Sequence, residues 1–218
     1  MRFSSEDPAS RRESYHHGNL REALIASALL LIAERGPGGF SFAEVARAVG
    51  VSPAAPYRHF RDRNALIAEI ARQGYERFTG DLERAWAEGK PDPVTAIENC
   101  VGAYLDFARR EPAFYAAMFE PGFPFDDDAP LLLASERAFG VLRRAAEVAC
   151  AAYHPGPGQA MRPPAMMVAL HIWAMAHGVA SLFVGRSERL RRKLPMRAED
   201  LLESGVLIYL QSLGLAAR

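Results

Sequence analysis

Apolar residues recur along this chain at intervals of three and four, and no convincing stretch alternates with the period of two that a half-buried strand requires. Leu20, Leu24, Ala28 and Leu31 share one face of a helix predicted over Leu20 to Arg35. Asn19 is placed to cap that helix, Glu22 to reach back to the cap, and Gly36 to stop it. Leu66, Ile70, Phe78, Leu82 and Trp86 track the stripe of a longer helix from about Arg63, broken at Gly89-Lys90-Pro91-Asp92-Pro93. Further helices are predicted at about Val94 to Arg110, Pro112 to Phe119, Pro130 to Tyr153, Pro164 to Gly185 and Arg197 to Leu213. Together these give an all-α chain of about nine helices with no internal repeat.

The densest local signals fall between the first helix and the long one. Ser41 and Glu44 have the spacing of a capping box, and Phe40 and Val45 that of a hydrophobic staple. Gly50 closes this short helix in the turn Ala48-Val49-Gly50-Val51. Ser52 is expected to cap a third helix with Pro53 at its first position, where a missing N–H costs nothing. Two short helices joined by a glycine turn predict a helix-turn-helix, so residues 1–62 read as a three-helix DNA-binding module with a basic arm. Residues 63–218 read as a larger C-terminal helical bundle.

Composition narrows the function classes. The 218 residues carry 26 basic and 26 acidic side chains, which argues against a histone-like nonspecific coat but not against a local basic face. Residues 1–65 hold nine arginines against seven acidic residues, a modest excess that makes binding lean on dimerisation. Cys100 and Cys150 lie in apolar helical stretches, which implies no disulfide framework and fits a reducing, cytoplasmic setting. The polar N-terminus lacks the apolar core of a secretory signal. Ala165 to Gly185 is apolar enough to raise a membrane crossing, but His171, Trp173, His177 and Ser181 within it favour a buried helix, and no membrane partner is expected.

The run FSFAEVARAVGVSPAAPYRHF at Phe40 to Phe60, followed by Arg63-Asn64-Ala65-Leu66, resembles the DNA-binding domain of TetR-like transcriptional regulators. Upstream, Tyr15-His16-His17-Gly18-Asn19-Leu20-Arg21 is similar to the start of one branch of that family. Trp173-Ala-Met-Ala-His177-Gly178 resembles the Trp…His-Gly signature of that branch's C-terminal domain. The resemblance implies a homodimer paired through its C-terminal bundles, with a small-molecule pocket in each. One departure stands out: Pro56 occupies the fourth position of the recognition helix, where its missing donor should shorten the helix or wind it partly as 3-10.

In a helix-turn-helix the second helix enters the major groove, its N-terminal residues nearest the bases. Ala54 and Ala55 offer methyl-sized contacts suited to a thymine C5-methyl, and Arg58 can pair with guanine O6 and N7. The resemblance places Tyr57 and His59 at phosphates. Ser41, Ser52 and Arg63 are expected phosphate contacts, and Arg12 and His17, with Arg11 and His16, give the arm its reach to the backbone or minor groove. The competing readings are structural: Tyr57 and Phe60 as core, Ser41 as a plain cap, and the arm as a solvated tail.

For an effector site the bundle offers Tyr104, Phe107, Met118, Phe119, Trp173 and His177, with Tyr115 and methionines 166, 167 and 175 as further lining. Trp173 and His177 share a helix face, as a pocket pair or as a core histidine beside a packed indole. Pro164 to Gly185, with Leu201, Leu202, Val206, Tyr209, Leu210 and Leu213, is expected to supply the paired helices of the dimer. No metal-ligand spacing, phosphate loop or local nucleophile–base pair is evident, so neither a metal, a cofactor nor an enzyme is expected. The leading expectation is a repressor released by a small apolar effector; the alternatives are an activator or ligand-independent regulator of the same fold, and a small-molecule enzyme fused to the DNA module.

Overall fold

The computed structural model describes residues 20–122, 128–152, 163–184 and 196–216, and every regular element among them is helical. The α-helices are α1 (Leu20–Arg35), α2 (Phe42–Val49), α3 (Arg63–Trp86), α4 (Pro93–Arg110), α5 (Pro112–Phe119), α6 (Ala129–Ala151), α7 (Ala165–Val184) and α8 (Ala198–Ser212). Two 3-10 turns, Ala55–Arg58 and Ala87–Gly89, complete the set. The arm with Arg12 and His17, and the Asn19 cap, lie outside the described residues.

Helix starts are set by short polar side chains that accept from otherwise orphaned amides. Asp62 accepts from the Ala65 N–H at 2.8 Å, Asp92 from Val94 and Thr95 at 3.0 Å, and Asp128 from Leu131 at 3.0 Å. Pro93 opens α4, where its fixed φ suits the first turn.

The long α3 is the spine. Leu66, Ile67, Ile70, Phe78 and Leu82 are essentially free of solvent contact, and α4, α5 and α6 pack around them. Each such side chain contributes about 1.5–3 kcal/mol relative to exposure. Helix α7 covers α6, α4 and α8. Helix α5 rests against α3 at Gly74, where an added Cβ would stand 2.7 Å from the Met118 sulfur. A larger residue there would force the Met118 side chain to shift.

The N-terminal helices are bolted to this spine. Glu69 on α3 accepts from Arg72 and Gln73 at 2.8 Å and pairs with Arg21 of α1 at 3.1 Å. Burial works against its charge, but these three donors win and hold its carboxyl down to about 2. Arg21 also lies over the Phe60 ring, 5.2 Å from its centroid.

One expectation fails inside the bundle. Leu202, Val206 and Leu210 of α8 are buried in the chain's own core, so these three are not free for a partner. Helical spacing marks a buried face without saying what buries it.

Candidate functional site

The residues of the N-terminal motif are arranged by α2 and the turn beyond it. Ser41 caps α2 with both halves of the capping box in place: its hydroxyl accepts from the Glu44 N–H, and the Glu44 carboxylate accepts from the Ser41 N–H at 2.7 Å. Those bonds to Ser41, with help from Arg35, hold the Glu44 carboxyl down to about 2. The staple residues Phe40 and Val45 are both buried. Gly50 ends α2 in the left-handed region at φ 80°, and the Val51 N–H returns to the Ala46 carbonyl at 3.0 Å.

After Gly50, the expected third helix is one 3-10 turn of four residues, Ala55–Arg58. Ser52 does not cap it with its side chain, and Pro53 precedes it rather than opening it. The physical reason is Pro56. Its ring is buried under the turn and has no N–H to give, while its carbonyl takes the N–H groups of both His59 and Phe60 at 3.0 Å. The shortening expected from Pro56 is therefore complete rather than partial.

This turn faces outward. Ser52, Pro53, Ala54, Tyr57, Arg58 and His59 are exposed, Ala55 is half-buried and Phe60 is core. Tyr57, 60% exposed, is braced edge-on against the Phe42 ring at 5.0 Å, so it is no core residue. Arg63 stands differently. It is half-buried, donates to the Pro37 carbonyl and lies 5.0 Å over the Phe40 ring, fastening the head of α3 to the α1–α2 connection. Its neighbour Arg61, with a side chain 88% exposed and paired only loosely to Asp62 at 3.1 Å, is the more available cation. Arg47 is exposed in the last turn of α2, and the Pro53 ring is exposed just before the 3-10 turn.

A second cluster forms where α4, α5 and α7 meet. The Tyr104 and Tyr115 hydroxyls lie 3.1 and 3.0 Å from Nδ1 of His177, and Ser181 lies 3.5 Å from its Nε2. Burial lowers the His177 pKa, which favours a neutral ring, and pushes both tyrosines up. Phe119 lies 4.8 Å from the imidazole, and Trp173 stands edge-on to Tyr104 at 5.4 Å and to Phe139 at 5.6 Å. Four of the six residues named from sequence are thus brought together. Phe107 is fully buried behind them against Phe78, and Met118 faces Gly74 of α3.

A third surface is apolar and open. Met166, Met167, Leu170, Ala174, Gly178 and Leu182 recur at helical spacing on the outer side of α7. A Cβ at Gly178 would meet nothing within 4 Å. His171 on this side bonds the Tyr209 hydroxyl of α8 at 2.8 Å. By length and composition Ala165–Phe183 would also suit a membrane crossing.

Residues 24–70 match the family described as bacterial regulatory proteins, tetR family, and residues 97–207 match the tetracyclin repressor-like C-terminal domain. That second description does not distinguish a Trp-His-Gly branch. A solved protein of unknown function from Rhodococcus sp. RHA1 is 31% identical, with a TM-score of 0.73 over 95% of this chain and 99% of that one. The TetR family transcriptional regulator PfmR from Thermus thermophilus shares the fold at 19% identity, with a TM-score of 0.65 over 86% of this chain and 97% of that one. Among curated proteins, the HTH-type transcriptional regulator YobS of Bacillus subtilis (strain 168) is 30% identical over 99 residues, 45% of this chain and 51% of YobS. The HTH-type transcriptional regulator AcrR of Shigella flexneri is 30% identical over 89 residues, 40% of this chain and 41% of AcrR. The matched stretch thus spans about half or less of these curated relatives.

Proposed function

The chain belongs to the tetR family of bacterial DNA-binding transcriptional regulators, and from that premise we propose that it is a ligand-responsive repressor that grips a palindromic operator as a homodimer. Residues 1–62 serve as the reading module and residues 63–218 as the sensing and pairing bundle. The observation that carries the reading is the outward turn after Gly50, which offers Ser52, Ala54, Tyr57, Arg58 and His59 to a groove from a rigid support.

Arg58 reads a guanine edge, while Tyr57, His59, Ser41 and Ser52 meet phosphates, with Ala54 and Ala55 nearest the bases. Arg12 and His17 extend the contact along the backbone. Arg63 acts through the fold, because its guanidinium is already committed to Pro37 and Phe40. The direct phosphate contact at that point passes to Arg61.

Pairing uses the open side of α7. The stripe of Met166, Leu170, Ala174, Gly178 and Leu182 presents apolar area that a second copy would cover, with small residues where two helices cross closely. Two copies then set two reading turns on successive half-sites. The Tyr104–His177–Tyr115 group, walled by Phe119 and Trp173, suits a small apolar effector bearing one hydrogen-bonding group, whose arrival would change the spacing of the two turns. Such a protein works in the cytoplasm.

Selection of bound fragments from random duplex DNA tests the proposal. Enrichment of an inverted repeat, bound two chains to one duplex, is the expected result. Recovery of no sequence at low ionic strength would reject it.

A further inference from the structure

At Pro53 and Ala54 the exposed turn carries no hydrogen-bonding side chain. Pro53 and Pro56 have no N–H, and the Ala55 N–H is already given to the Ser52 carbonyl at 3.0 Å. The side chains exposed beside them are the Pro53 ring and the Ala54 methyl. Hydrogen-bonding side chains begin again only at Tyr57, Arg58 and His59, on the far side of the turn. The start of the turn is thus an apolar tip of two exposed side chains, flanked by polar groups and followed by the buried Pro56.

In the major groove, purine edges and cytosine present only hydrogen-bonding groups to such a tip, and thymine alone adds a methyl at C5. An apolar tip set against N7, O6 or an amino group strips water from it and returns nothing. Set against a C5-methyl, it buries carbon on carbon. Resting on the DNA-binding reading above, we propose that Pro53 and Ala54 form a 5-methyl-pyrimidine contact, so that part of the operator preference is for the methyl group itself and not for the thymine hydrogen-bonding pattern. Thymine and 5-methylcytosine are then equivalent to this tip, and cytosine and uracil are equally poor. Cytosine methylation at that position creates affinity instead of blocking it.

The test uses the full-length protein and the duplex recovered by random selection. Each thymine of a half-site is replaced in turn by deoxyuridine, which removes one methyl and leaves every hydrogen-bonding group. One or two positions per half-site should weaken binding by about three- to fivefold, the scale of one buried methyl group. At the same positions a C·G pair should bind poorly, and 5-methylcytosine in place of that cytosine should recover a similar factor. Ala54→Gly, an exposed change that leaves the turn's backbone intact, should shrink the thymine-to-uridine difference, and Arg58→Ala should not. If every deoxyuridine duplex binds as well as its parent, the methyl contact is wrong although the protein is still a DNA reader. Failure to select any duplex would instead overturn the underlying assignment. Should Ala54→Gly fail to fold, the unmodified protein on substituted duplexes still decides.

Discussion

The hydroxyl of Tyr104 on α4 lies 3.1 Å from Nδ1 of His177 on α7. Tyr115 reaches the same nitrogen from α5 at 3.0 Å, so one imidazole edge ties three helices together. Tyr104→Phe should cost about 0.5–1.5 kcal/mol of stability, measured by urea unfolding, because a buried pairing is lost without opening a large cavity. The imidazole adds a pH signature. Its pKa in the fold is lowered below the ordinary 6.5 by burial, with the Glu120 carboxylate pulling the other way. A depressed value contributes stability that is present above about pH 6.5 and lost as pH falls through the folded value. The thermal midpoint should therefore drop from about pH 7.5 to about pH 5.5, and His177→Gln should flatten that drop.

Three arginines near the reading turn should separate by experiment. Arg58→Ala is expected to relax preference at one base pair. Arg61→Ala should weaken all duplexes alike and reduce the slope of log affinity against log salt by about 0.9, the signature of one lost phosphate contact. Arg63→Ala should leave that slope unchanged and instead lower stability by about 1–2 kcal/mol, because its ring contact and its bond to Pro37 hold α3 to the connection before α2. A reduced salt slope for Arg63→Ala would return it to the interface.

Leu170→Glu and Val206→Glu should fail in different ways. Leu170 is 50% exposed on the open side of α7, so its glutamate variant should keep its helical signal and sediment as a monomer. Val206 has no solvent exposure at all, and a charge there would be buried unpaired, costing about 3–5 kcal/mol and unfolding the chain before pairing is tested. A dimeric Leu170→Glu would place the partner on another face.

Gly74→Ala should destabilise the protein by about 1–3 kcal/mol, since the new methyl would press on the Met118 side chain and on Cβ of Phe114 across the α3–α5 contact. Gly102→Ala on α4, where an added Cβ would meet open space, is the control and should be neutral or slightly stabilising by unfolding assay.

What was legible in the chain was what depends on neighbours in sequence. The Ser41–Glu44 box, the Phe40–Val45 staple and the Gly50 stop are local arrangements between residues a few positions apart, and all three are present. The shortened turn at Pro56 was readable for the same reason: a missing donor needs no tertiary knowledge. Partners distant in sequence were not readable. Nothing in spacing tells that Arg63 would turn to Pro37 and Phe40, or that Glu69 would gather Arg21 from another helix. Nor does an apolar stripe announce whether its own chain covers it, as at Val206, or leaves it bare, as at Leu170. In the tyrosine–histidine cluster, spacing shows Trp173 and His177 as a pair on one helix, while the hydroxyls that complete the group arrive from α4 and α5.

The brevity of the reading turn has a thermodynamic side. Two prolines fix backbone angles there before any duplex arrives, and the edge-on packing of Tyr57 on Phe42 removes further freedom. A tip so prepared has little conformational entropy left to surrender on docking. Its heat-capacity change on complex formation should match the area of the interface alone, without the excess that marks segments which fold as they bind.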